Sequence, residues 1–247
     1  MKIKLTSFEV AANVEGDRNA DRLALILPGQ LDSKDYQHIR SHTNFLARKG
    51  FLSVSFDPAG TWESGDDLSI YTMTNYLKTI NELIHYFGNR PTFTMGHSRG
   101  GTMAMAAGIG NPSVFSFAAV MSGYSYSPKV NPNYSDKKEW MELGYRESLR
   151  DLPNDHNQSR LFKLPYGFLE DTLKYDLTDG LKNCTKPKMF VYGNKDDQIR
   201  PEFVKQGFEL SSDPKELNEL ESDHDYRWHP ELITEVNDLV WGFLKNQ

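Results

Sequence analysis

An α/β domain, with a mostly parallel central sheet and helices on both faces, is the fold class this sequence predicts. Three observations carry that expectation. Short continuous apolar runs such as Leu23 to Leu27 stop at turn residues (here Pro28-Gly29), the pattern of a strand buried on both faces. These runs alternate with helix-length segments. The cleanest of those places Ile70, Met73, Leu77, Ile80, Ile84 and Phe87 on one face, at alternating three- and four-residue spacing, before Gly88. The length, 247 residues, suits one domain (1–247) able to bury its own core.

In chain order, Ile3 to Val10 reads as a first strand and Ala11 to Gly16 as its hairpin partner or turn. After the run at Leu23, Tyr36 to Lys49 reads as a helix, closed by Gly50 because glycine accepts the left-handed backbone of a C′ position. Phe51 to Phe56 is the next strand, stopped by Asp57-Pro58. Thr92 to Met95 and Phe115 to Met121 are further strands, separated by a helix of small residues, Thr102 to Gly108. Met189 to Tyr192 follows Lys186-Pro187 as another buried strand. A last helix, about Glu231 to Lys245, sets Ile233, Val236, Val240 and Phe243 on one side. Strands that alternate with amphipathic helices imply crossovers covering both faces of a parallel sheet.

The rhythm breaks once. More than sixty residues separate the strand at Phe115 from that at Met189, against about thirty for an ordinary crossover unit. This insert carries Tyr124, Tyr126, Tyr134, Trp140, Tyr145, Phe162, Tyr166, Phe168 and Tyr175, with eight basic and eight acidic residues between 124 and 175. Loops of that length usually carry structure or function of their own. We therefore expect residues 124–178 to form a helical cap over the C-terminal edge of the sheet. The aromatic content and balanced charge favour an uncharged or weakly polar substrate with an apolar acyl or aryl part.

Bulk composition excludes several classes. The formal charge of −6 and scattered Lys and Arg residues leave no concentrated basic face for nucleic acid. No run reaches the roughly eighteen apolar residues of a membrane span, and Met1 to Val10 lacks the apolar core of a signal peptide. A single cysteine, Cys184, allows no internal disulfide and fits a reducing compartment, which we read as cytoplasmic. It reads as a small half-buried hydrophobe. Nothing in the composition addresses oligomeric state.

Chemistry enters at Gly96-His97-Ser98-Arg99-Gly100-Gly101. A β-type run enters this Gly-x-Ser-x-Gly turn and a small-residue helix leaves it, the context of a nucleophile elbow. The turn strains the serine backbone, so its close neighbours must lack side chains. The hydroxyl then lies at a helix N-terminus, where free amides and the dipole favour developing negative charge.

A serine hydroxyl needs a base, and the base an orienting acid, in the order Ser, acid, His. Of the downstream histidines, His156 falls in the insert as a solvated loop residue and His229 precedes Pro230 at a helix start. His224 lies between the last strand and the C-terminal helix, where a loop can lean over the sheet's end. The run Met189 to Gly193 leads into Asn194-Lys195-Asp196-Asp197, and spacing leaves both aspartates open as the acid.

With these motifs the chain resembles the α/β-hydrolase superfamily, near the cap-bearing small carboxylesterases and monoacylglycerol-lipase-like enzymes. Gly193-Asn194-Lys195-Asp196, with Pro201 beyond, matches the family's Gly-x-x-Asp motif, and the resemblance selects Asp196. Asp223-His224-Asp225-Tyr226 is similar to its Asp-His-x-Phe loop, and Asp57 to Ser64 resembles its Asp-x-x-Gly-x-Gly-x-Ser stretch. The likeness spans most of the chain outside the insert. It is specific for fold and machinery and weak for substrate. Two departures stand out. Pro28-Gly29 replaces the usual His-Gly before the oxyanion loop, and Trp62 stands where the family often has glycine.

The resemblance implies a serine esterase acting on a small-molecule ester with no cofactor or metal. Ser98 would be the nucleophile, His224 the base and Asp196 the acid. The backbone amides of Gln30 and Arg99 would hold the oxyanion, and Gly29, Trp62, Tyr124 and Trp140 are candidate substrate contacts. Trp62 either narrows one pocket wall or packs on the surface. The Arg99 side chain either recognises a carboxylate or packs as a surface arginine under the cap. His38 and His42 have metal-ligand spacing on a helix. Without a His-Glu-x-x-His pattern they are expected in solvent, and His97 is expected to be structural. The same triad also serves acyl transfer to an alcohol or amine, and a relative that binds ligand with little turnover is the alternative from another class. Ser98 stands where dehalogenase and epoxide-hydrolase relatives carry aspartate.

Overall fold

Eight of the strand-forming segments join one sheet. In this computed structural model, which describes residues 1–131, 138–245 and 247, the strands are β1 (Lys2–Lys4), β2 (Glu9–Glu15), β3 (Leu23–Leu27), β4 (Leu52–Phe56), β5 (Thr92–His97), β6 (Val114–Val120), β7 (Tyr145–Leu152), β8 (Asp155–Pro165), β9 (Lys188–Gly193) and β10 (Lys215–Leu220). The large sheet runs in the order β1-β2-β4-β3-β5-β6-β9-β10. From β4 to β10 all neighbours are parallel, while β1 and β2 form an antiparallel flank.

The helices are α1 (Gln37–Arg48), α2 (Met73–Tyr86), α3 (Arg99–Gly110), α4 (Lys138–Leu143), α5 (Tyr166–Thr172), α6 (Thr178–Asn183), α7 (Pro201–Leu210) and α8 (Pro230–Leu244). They cover both faces, as the period-two pattern of a doubly buried strand requires. Leu23, Leu25 and Leu27 pack with Ile80, Leu83 and Met103 of α2 and α3, whereas Ala24 and Ile26 pack with Ile39 and Leu46 of α1 and Val236 and Val240 of α8. Every residue of β3 is buried. The sheet's middle is thus sealed on both sides, and only the ends of its strands are left for chemistry.

Three local readings change. The N-terminal strand divides at residues 5–8 into the β1–β2 hairpin. Strand β10, Lys-Glu-Leu-Asn-Glu-Leu, was not expected, because an edge strand keeps mostly polar, part-exposed residues and loses the apolar run that marks β3. The insert is not wholly helical. Beside α4 and α5 it holds an antiparallel hairpin of β7 and β8, with Leu149 opposite Leu161. Only Phe162 and Leu164 of its strands are fully buried, which removes the apolar alternation that would have marked them. Trp140, Phe162, Leu164 and Phe168 form the insert's own core with Leu31 and Tyr71. Tyr134 lies outside the described residues.

Helix α3 sits close against β6. A Cβ on Gly108 would fall 2.1 Å from the Phe117 ring, while one on Gly242 of α8 would meet nothing within 4 Å. Glycine-to-alanine changes at these two helical sites therefore have opposite signs. Urea denaturation should show Gly108→Ala losing about 1–3 kcal/mol by overpacking and Gly242→Ala gaining about 0.5–1 kcal/mol from reduced backbone entropy.

Candidate active site

Ser98 occupies the junction of β5 and α3 with φ 53° and ψ −124°. For a non-glycine residue such a conformation costs about 1–3 kcal/mol and persists only where its surroundings enforce it. Here they do. A Cβ on Gly96 would lie 2.3 Å from the Gly100 carbonyl carbon, and one on Gly100 would lie 2.0 Å from the Leu27 carbonyl oxygen. The bare backbone lets α3 butt against β3, and the Ser98 amide is anchored by donation to Val120 O at 2.9 Å.

The two downstream loops converge on this serine. His224 Nε2 lies 2.9 Å from Ser98 Oγ, and His224 Nδ1 lies 2.8 Å from Asp196 Oδ2. The other Asp196 oxygen accepts the amides of Gln198 and Ile199 at 2.9 and 2.8 Å, which fixes the carboxylate. Asp196 is buried and Asp197 is exposed, so geometry chooses between the two. His97 Nε2 donates to the His224 carbonyl oxygen at 2.9 Å; as a carbonyl only accepts, this nitrogen carries the proton. It supports the loop, in keeping with a structural part.

Opposite Ser98 runs the loop after β3. Among the described residues, neither the Gln30 nor the Arg99 amide nitrogen has a protein acceptor. The loop is pinned by Asp57, whose Oδ1 accepts from the Lys34 amide at 2.8 Å and the Ser33 hydroxyl at 3.1 Å. Burial pushes the Asp57 carboxyl up to about 6, against the nearby Lys34 charge. Gly29 belongs to this turn, and a Cβ there would strike the Asp32 carboxylate at 2.5 Å. It lets the loop close and is not among the residues lining the cavity over Ser98.

The cavity over Ser98 holds about 330 Å³ and is lined mainly by polar groups, among them Gln30, Asp32, Arg99, Arg146, Ser148 and Arg150. Three expected contacts lie elsewhere. Tyr124 is buried against Phe203 beneath the insert, at a ring distance of 4.7 Å. Trp140 packs inside the insert, donating to Leu164 O at 3.0 Å, and borders a separate cleft. Trp62 donates to Leu31 O at 2.9 Å and packs edge-on to Phe162, so it joins loop to insert without reaching the cavity. Its φ of 44° is a left-handed conformation that glycine adopts freely.

Tyr126 lines the cavity in place of Tyr124. Arg146, Ser148 and Arg150 went unread because the insert was taken as helical; at two-residue spacing they share one face of a strand. Arg150 forms an ion pair with Asp32, and its burial draws the guanidinium down to about 10. Arg227, three residues beyond His224, binds both oxygens of Asp151 in the hairpin at 2.9 and 3.2 Å.

The expectation of solvated His38 and His42 is overturned, since both are buried under the elbow. The face of α1 that carries them packs on α8 and the His224 loop, where His42 bonds Asn237 at 2.7 Å and Tyr226 at 2.8 Å. Among the described residues, Asp32, His38 and His97 bring one ligand atom each within 4.8 Å of the others. Asp32 is already paired with Arg150, and the charge of Arg227 bears on both histidines. Those neighbours oppose a divalent cation.

A strained serine after the central strand, an acid after β9 and a histidine after β10 define the α/β-hydrolase class, with esterase-like architecture. The chain belongs to the Esterase family, whose model matches residues 80–239. It is similar to the human palmitoyl-protein thioesterase ABHD10, mitochondrial, at 20% identity over 223 residues, covering 87% of this chain and 72% of the relative. Mouse alpha/beta hydrolase domain-containing protein 10 superposes with a TM-score of 0.79 at 17% identity, covering 100% of this chain and 98% of the other. Est1E of Butyrivibrio proteoclasticus, solved with ferulic acid bound, gives 0.76 at 19% identity, with 99% of each chain covered. Among the described residues no helix is long and apolar enough to cross a membrane.

The buried histidines set a pH dependence. Burial draws His42 down to about 4 and puts His38 and His97 well below their usual value. The unfolded chain then gains protons below pH ~6.5 while the folded one does not, so stability is lost as pH falls through that window. Asp57, whose carboxyl is raised, works in the opposite sense. The urea midpoint should fall between pH 7 and 5, and the fall should be shallower in His42→Gln by on the order of 2 kcal/mol.

Proposed function

We propose that this protein hydrolyses carboxylic esters or thioesters through an acyl-enzyme on Ser98. The observation that carries the reading is the unbroken chain from Ser98 through His224 to Asp196, at 2.9 and 2.8 Å, beneath an accessible cavity. His224 Nε2 takes the hydroxyl proton as Ser98 Oγ attacks the carbonyl carbon. Asp196 accepts from Nδ1–H, fixes the tautomer and stabilises the imidazolium. The unpartnered amides of Gln30 and Arg99 receive the oxyanion, each such donor contributing about 3–4 kcal/mol.

Collapse of the tetrahedral intermediate expels the alcohol or thiol, protonated by His224. Water then enters, gives its proton to His224, attacks the acyl carbon and releases the acid with Ser98 restored. Residues 124–178 act as a cap, contributing one wall through β7. The human relative's name specifies a palmitoyl group; the polar lining here offers little apolar surface for such a chain. Cys184 is buried and unpaired, consistent with a reducing, cytoplasmic setting.

Intact mass after treatment with a fluorophosphonate probe tests the mechanism. Wild type should gain one adduct and Ser98→Ala none, with Ser98→Ala lowering ester kcat/KM by at least about 10⁴-fold. Folded wild type that takes up no probe would overturn the proposal in favour of a ligand-binding relative.

A further inference from the structure

The cavity over Ser98 has more positive charge than its own acids answer. Three arginines, Arg99, Arg146 and Arg150, line it with two aspartates, Asp32 and Asp225. Both acids are already engaged. Asp32 pairs with Arg150, and Asp225 accepts from Arg227 Nε at 3.0 Å. Arg99 and Arg146 have no carboxylate within ion-pair distance among the described residues. This local excess stands against a formal charge of −6 for the whole chain.

Arg99 is the more telling of the two. It is 3% exposed, yet among the described residues its terminal nitrogens meet only neutral acceptors, Thr172 Oγ1 at 3.1 Å and Gln30 Oε1 at 2.8 Å. Its guanidinium lies 4.7 Å from the ring centroids of both Tyr126 and Phe168. Aromatic faces and neutral oxygens offset only part of the cost of burying a charge, which is usually met by an opposite one. Each terminal nitrogen still has a second N–H. Arg146 is exposed at the cavity wall, stacked loosely over Trp140 at 5.9 Å, and among the described residues no acid engages its fork.

We propose that the substrate is a carboxylate-bearing ester or thioester whose anionic group is held at the Arg99–Arg146 side of this cavity. The inference rests on the hydrolase reading and narrows it to a substrate class. Planar guanidinium forks suit a carboxylate, which takes two parallel hydrogen bonds. It also replaces the uncharged, apolar substrate expected from the aromatic content of the insert. Of those aromatics, Trp140, Phe162 and Phe168 pack in the insert's own core, Tyr124 packs against Phe203, and Tyr126 and Phe168 flank Arg99. The carboxylate sits in either the acyl part or the leaving group, and paired probes separate the two.

The test compares matched esters at low salt. One pair is p-nitrophenyl hemiadipate against p-nitrophenyl hexanoate; the other is 4-acetoxybenzoate against phenyl acetate, each corrected for its uncatalysed rate. In at least one pair the anionic ester should have the higher kcat/KM, on the order of tenfold to a hundredfold. The preference should shrink in 0.5 M NaCl and collapse toward one in Arg146→Gln. In parallel, calorimetry with Ser98→Ala should detect the anionic member of the preferred pair and not its neutral counterpart.

A folded wild type that takes the fluorophosphonate probe and turns over both members of each pair equally would overturn this inference and leave the hydrolase reading standing. Uptake of no probe, with anionic and neutral esters bound equally or not at all by Ser98→Ala, would overturn both. Selective binding of an anionic ester over its neutral counterpart without probe uptake would support the anion site alone.

Discussion

The contact on which this architecture turns is between a helix backbone and a strand backbone. Gly100 lies so close to the Leu27 carbonyl that a single methyl would stand 2.0 Å from that oxygen. Because α3 can seat itself there, the chain must reverse direction within one residue after β5. Ser98 absorbs the reversal with a positive φ. The same closeness sets the first amide of α3 opposite the loop that follows β3. The Ser98 hydroxyl and the Arg99 amide are therefore not independently positioned, and a residue with a side chain at Gly100 would displace them together.

Around this point the packing changes character. The sheet's two faces are sealed by apolar clusters in which β3 takes part on both sides. Beyond the strand ends, polar and charged groups take over. Asp57 holds the Lys34 amide, Asp196 holds two amides as well as His224, and Arg227 spans from the His224 loop to the hairpin. Hydrogen bonds to charged groups have preferred directions that hydrophobic contacts lack. An apolar core sets where the strands end, and these bonds set how the loops leaving them are aimed.

Most of the sheet and the Ser98–His224–Asp196 arrangement were legible in the sequence because their signals are local. A Gly-x-Ser-x-Gly turn states its own geometry, and β3 is apolar throughout, β4 and β9 largely so, because all three are buried throughout. The acid was half legible, since spacing left Asp196 and Asp197 equal and only family likeness, then burial, separated them. The insert was the least legible part. Its hairpin is exposed or half-buried at nearly every position, so neither helical nor strand periodicity is written strongly in it. Misreading its type hid the Arg146–Ser148–Arg150 face. The aromatic content was visible while its direction was not: Tyr124 and Trp140 point into cores, and Tyr126, two residues from Tyr124, reaches the cavity. His38 and His42 were misjudged because a polar residue on a helix says nothing of a polar pocket built for it by Tyr226 and Asn237.

Arg227 makes the hairpin and the His224 loop mechanically one piece. One guanidinium grips Asp151 on one side and Asp225, next in sequence to His224, on the other. A bulky molecule that wedges the hairpin upward pulls on the strut that steadies the neighbour of the histidine. Widening the mouth by removing Asp151 would enlarge the entrance and slacken the histidine loop at the same stroke. Breadth of substrate and alignment of the reacting groups thus trade against each other through a single side chain, and a more permissive descendant of this chain would first have to give that histidine loop another brace.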